Sequence, residues 1–133
     1  MTTRSKVIIV KGSDREIMVE NGLNALEINP YKEKVVIKPN LNLYKKPDLA
    51  LIDGIESSSR ELGGEVTRYD LMILSEDPVA ADAVGANILG LNPLSVPHIK
   101  LAQEKWLGIV RLEEIKLFRF LQKAKVSYRE LNI

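Results

Sequence analysis

The sequence predicts an α/β fold: a single domain over residues 1–133, with a mostly parallel sheet of four or five strands and helices on both faces. Three observations carry this reading. Short runs such as Lys6-Val-Ile-Ile-Val10 and Asp70-Leu-Met-Ile-Leu-Ser75 are apolar at consecutive positions, the pattern of strands covered on both sides. Helix-start patterns follow both runs, at Ser13-Asp-Arg-Glu16 and at Asp77-Pro78. A length of 133 residues with 45% apolar content supports one hydrophobic core.

The elements follow in chain order. Lys6–Val10 is the first strand, closed by Gly12. Ser13 and Glu16 form a capping-box pattern that opens a helix to about Glu27, with Val19, Leu23 and Leu26 at helical spacing and Asn29-Pro30 as its stop. Lys34-Val-Val-Ile-Lys38 is the second strand, ended by Pro39. A helix between two strands implies a crossover, which makes the pair parallel. Asp48–Asp53 is a third strand, and a short polar helix is expected over 56–62 before Gly63-Gly64. Asp70–Ser75 is the fourth strand. Asp77 caps a helix that runs to Leu89 and stops at Gly90. A further helix starts near Ser95-Val96-Pro97 and ends before Gly108. Ile115–Phe120 reads as the last full strand, and the residues after it, about 121–133, as an edge strand or an arm.

Composition closes off several classes of chemistry. The chain has no cysteine, which excludes disulfides, thiol catalysis, zinc–thiolate sites and an iron–sulfur cluster ligated by this chain. Its single histidine, His98, excludes an all-histidine metal site within one subunit, and at a helix start it reads as a surface or packing residue. No apolar run approaches the roughly 18 residues of a membrane span. The N-terminal stretch has no signal-peptide apolar segment, so the expected location is cytoplasmic and no membrane partner is expected. Net charge is +1 but unevenly spread: net +3 over residues 1–50, −6 over 51–99 and +4 over 100–133. The basic ends are poor in aromatics, which argues against nucleic-acid binding. They are expected to neutralise the acidic middle, within one subunit or across a homo-oligomer.

An ordered set of segments resembles the domain of unknown function 362 family. Val35-Val-Ile-Lys-Pro-Asn40 resembles its Ile-Lys-Pro-Asn signature, and Leu49-Ala-Leu-Ile-Asp-Gly-Ile55 its strand followed by Asp-Gly. Asp77-Pro-Val-Ala-Ala-Asp-Ala83, Ile88-Leu-Gly-Leu-Asn-Pro93, Pro97-His-Ile-Lys-Leu-Ala102 and Leu107-Gly108 resemble later segments in the same order, so the likeness covers about residues 6–120. Trp106 stands where the family has glycine; it is expected in the core or at a subunit interface. Only Leu41–Pro47 joins the first two segments, where the family carries a long central portion. The resemblance implies a shortened member, and an iron–sulfur protein as a partner, because relatives sit beside ferredoxin-like modules.

In a parallel sheet, ligands bind beyond the carboxyl ends of the strands. Residues following the strands, Lys11-Gly12-Ser13, Lys38-Pro39-Asn40, Asp53-Gly54 and Ser75-Glu76-Asp77, are therefore expected to converge on one edge beside helix N-termini. The candidate ligand-binding residues are Lys38, Asn40, Asp53, Asp77 and Asp82. Lys38 offers charge neutralisation for an anion and Asn40 a hydrogen bond. Asp77 is an N-cap first. Asp82 lies in a helix of small and apolar residues, where a carboxylate needs a partner; it is either a structural brace or a functional acid. Asp53 and Glu76, with Asp77 or Asp82, are the acids available to a divalent ion, although no metal ligand is assigned. The leading expectation is a binding module with a small cleft for an anion or divalent metal. The alternatives are an enzyme using Lys38 or Asp82 in acid–base chemistry, and an assembly subunit for the iron–sulfur partner.

Overall fold

A computed structural model of the chain describes residues 5–29, 48–60, 63–121 and the backbone of 129–130. The strands are β1 (Ser5–Lys11), β2 (Ala50–Ser58), β3 (Val66–Ser75), β4 (Ile115–Leu121) and the two-residue β5 (Arg129–Glu130). The helices are α1 (Arg15–Leu26), α2 (Pro78–Ile88) and α3 (Pro97–Glu104), with single 3-10 turns at Pro93–Ser95 and Leu112–Glu114. Strand order is β2-β3-β1-β4-β5.

This sheet is mixed, where a mostly parallel one was expected. Among the described strands only β1 and β4 run parallel; β1–β3, β2–β3 and β4–β5 are antiparallel. The parallel expectation came from pairing β1 with the run at 34–38, which lies outside the described residues. Instead β1 takes β3 as one neighbour, with Val7 opposite Ser75 and Lys11 opposite Leu71. One consequence follows for the site. Lys11 and Gly12 sit at the end of the sheet where β3 enters, whereas Ser75 and Asp77 sit at the other end, beside Ser5. The expected single rim is therefore split in two.

Helices do lie on both faces, and the alternation along β1 shows why. Ile8 and Val10 join Met72, Leu74 and Phe120 against Met18, Ala25 and Leu26 of α1. Val7 and Ile9 join Ile73 and Leu117 against Ala80, Ala81 and Val84 of α2. Because β1 is central and covered twice, every position from Val7 to Val10 is buried, which is why its sequence is unbroken apolar. Helix α3 packs on the outer side of α2, where Ile99 and Val110 meet Val79, Ala83 and Ala86. Each fully buried large side chain contributes roughly 1.5–3 kcal/mol.

Two local expectations are corrected. The α1 cap is Asp14, whose carboxylate accepts from the Ile17 amide at 3.2 Å, one residue beyond the expected Ser13. The segment from Glu56 to Ser58 continues β2 in place of the start of a polar helix. Its polar residues are those of a strand with one face in solvent, and composition alone does not separate the two. Between β2 and β3 the register shifts, so that Tyr69 and Asp70 stand opposite the single residue Ile55. Asp70 takes φ +51° there, and Arg68 bridges Glu56 and Asp70 across the irregularity. The two residues of β5, beside Phe118 and Arg119, lie where an edge strand was expected.

Candidate functional site

An apolar cleft among the described residues opens between β2–β3 and the helices α2 and α3, with a volume of about 330 Å³. Its floor is Ile52, Leu71 and Ile73 of the sheet and Gly85 and Ala86 of α2. Ile88, Leu89, Leu91, Val96 and Ile99 form the helical wall, and Ser57, Tyr69, Asp82 and His98 add polar groups.

Sequence builds this cleft in three steps. Asp77-Pro78 starts α2 at a fixed place: the Asp77 carboxylate accepts from the amides of Val79 and Ala80 at 3.0 and 3.2 Å. Small residues along α2 then let it approach the sheet at Ala80, Ala81 and Val84. One turn on, Gly85 leaves a gap; a methyl group there would stand 3.7 Å from Ile52 and from Ile73, with no clash. Gly85 thus widens the floor where alanine would narrow it. At the strand side, Tyr69 lines the cleft with Leu71 and Ile73, the alternate positions along β3.

The candidate residues separate. Asp53 and Asp82 both border the cleft, at β2 and α2. Asp53 stands opposite Met72, whose side chain belongs to the α1 face, and its carboxylate accepts from Arg15 Nε at 2.7 Å and from the Ile55 amide at 3.1 Å. Partial burial pushes this carboxyl up, but the Arg15 hydrogen bond, the Ile55 amide and the Arg15 charge together outweigh it and hold the group below its ordinary value. The same pairing raises the Arg15 guanidinium. Asp82 is exposed, not enclosed by its helix: the small residues of α2 face the sheet and α3, and Asp82 lies on the remaining side, toward the cleft.

Asp77 is absent from the cleft and is a structural brace. Besides the two cap bonds it accepts from Ser5 Oγ at 2.6 Å and from the Ile109 amide at 3.0 Å, tying the start of β1, the start of α2 and the segment after α3. Gly108 permits this, since a Cβ at that position would fall 2.2 Å from Asp77 Oδ1. Lys38 and Asn40 lie outside the described residues. Among those described, no group of three His, Asp or Glu is arranged to hold a metal ion. No described helix is long and apolar enough to cross a membrane.

Tyr69, Ser57 and Gly85 are the cleft residues that site reasoning from sequence passed over. Gly85 had a readable signal, a lone glycine inside an alanine-rich helix. Tyr69 had one too, standing two residues before Leu71 and four before Ile73, the period that shares one face of a strand.

Comparison with family models, with curated proteins and with solved structures finds no match to this chain.

Proposed function

We propose that this chain is a small-ligand binding module that works at the α2–β2–β3 cleft. The observation that carries this reading is the cleft itself: an apolar floor with a few polar groups, in the usual size range of small-molecule sites. Its described lining holds the acidic Asp82 and no lysine or arginine, while Asp53 turns its carboxylate to Arg15 on the α1 face. That supports a ligand with an apolar body and a hydrogen-bond-donating group. The anion reading rests instead on Lys38, and the divalent-metal reading lacks a clustered ligand set among the described residues.

The family resemblance belongs to this proposal, and its placement supports it. The Leu49–Ile55 segment supplies Ile52, Asp53 and Gly54; the 77–83 segment supplies Asp82; and the later segments supply Ile88, Leu89, Leu91, His98 and Ile99. Four separated stretches that carry the likeness therefore meet at one cavity.

A fragment screen by protein-observed NMR tests the proposal, with Gly85→Leu as the control that fills the cleft from α2. Fragments should shift the amides of Ile73, Gly85 and His98, and Gly85→Leu should abolish those shifts while keeping the fold. A screen that leaves these amides unmoved, or binding that persists in Gly85→Leu, would sink it.

A further inference from the structure

Trp106 is 94% exposed, the largest apolar side chain given wholly to solvent among the described residues. Its backbone makes this harder to dismiss. All three helices close with the same pair of hydrogen bonds: the residue in the left-handed region bonds back to one carbonyl, and its successor reaches one residue further back. At α2 these are Gly90 to Asn87 and Leu91 to Ala86; at α3 they are Trp106 to Gln103 and Leu107 to Ala102. α2 uses Gly90 at φ +77° for the left-handed position, whereas α3 uses Trp106 at φ +58°. An indole there carries the steric cost of that conformation and buries almost nothing among the described residues.

A lone projecting aromatic gains energy when a concave apolar receptor desolvates it. This chain carries such a receptor on the same helix. Val96, His98 and Ile99 at the start of α3 line the 330 Å³ cleft, and Trp106 follows its other end. A second cavity among the described residues, beside α1, is lined by Glu16, Glu20, Asn24 and Asn29 among its few apolar groups, a poor receptor for an indole. With knob and hole at opposite ends of one helix, two chains related by a two-fold axis, with their α3 helices antiparallel, each give and receive one indole. The exposed Leu101, midway along α3, then falls near the axis. Charge agrees with this arrangement: Lys105 precedes the knob and Asp82 stands at the hole.

We infer that a second copy of this chain docks by inserting Trp106 into this cleft, reciprocally, to form a closed dimer. An indole and a small ligand compete for the same volume, so a ligand that fills the cleft releases the neighbour.

Trp106 is the only tryptophan, so its emission reports the contact directly. Sedimentation of the full chain over a range of concentrations should show a dimer, with emission shifting to the blue as the dimer forms. Trp106→Gly should weaken dimerisation by roughly 30-fold or more, with the circular dichroism spectrum of the folded chain retained because glycine suits that backbone. Gly85→Leu should weaken it comparably and leave the emission that of a solvent-exposed indole. The inference is overturned by a monomer at all concentrations with unshifted emission. It is equally overturned by a dimer that both variants preserve, or by a blue shift that survives Gly85→Leu. Dimerisation without fragment binding removes the small-ligand reading alone, and fragment binding by a permanent monomer removes this inference alone.

Discussion

The two faces of the sheet each receive a helix that brings a glycine to it, and the two glycines do opposite things. On the α1 face, a methyl group added to Gly22 would fall 2.6–2.7 Å from the Leu74 methyl groups, and Leu74 is itself completely buried. Gly22 lets the helix come close, and the face is sealed. On the α2 face a methyl group at Gly85 would meet Ile52 and Ile73 at ordinary contact distance, so the missing side chain leaves room. One glycine closes a core; the other holds a cavity open. Residue type alone does not tell these apart, because the distinction lies in what stands opposite.

Placing the same side chain on each face gives the largest expected contrast. Gly22→Leu should cost about 3 kcal/mol by overpacking a filled core. Gly85→Leu should change stability by less than about 1 kcal/mol, since the new side chain enters the cleft and its helix propensity is better than glycine's. Denaturant unfolding of both variants measures this, and equal losses would erase the distinction between the faces.

A second test loosens only one face. Asp77→Ala removes the acceptor for four donors at the start of α2 and should cost about 2–3 kcal/mol. Amide exchange should quicken along α2 and α3 while the α1 amides stay protected. Uniform loss of protection would show that the faces do not open separately.

The smallest effect belongs to the ion pair at the sheet end. Arg15 of α1 and Asp53 of β2 are both substantially exposed, so solvent screening leaves the pair only a small contribution. With the folded carboxyl below its unfolded value, this contribution is complete above the ordinary aspartate range and is lost as the pH falls through the folded value. Asp53→Asn should remove that part of the acid dependence, read as a flatter stability profile in acid.

Much of the local structure was legible because its causes are local. The unbroken apolar run of β1, the Asp77-Pro78 start of α2 and its stop at Gly90 each follow from neighbouring residues. Sheet orientation was not, because the choice of β3 as the neighbour of β1 joins residues 60 to 68 positions apart. The candidate rim failed with it: once β3 runs against β1, Lys11 and Asp77 must lie at opposite ends. Asp82 was found for the wrong reason. An alanine-rich helix suggested a buried acid, whereas the small residues serve close approach on two sides and leave Asp82 exposed. Trp106 was expected in the core or at an interface, and its 94% exposure removes the first of these.

The strand that anchors the sheet is also the earliest of its described strands to leave the ribosome. Val7 needs Ser75 on one side and Leu117 on the other before its backbone is satisfied. During synthesis that greasy ribbon must wait through about a hundred further residues, at roughly 5–20 per second, before its last neighbour arrives. Nascent chains of this protein are thus exposed to premature sticking for several seconds, and a chaperone acting in that interval should matter more to its yield than the stability of the finished fold.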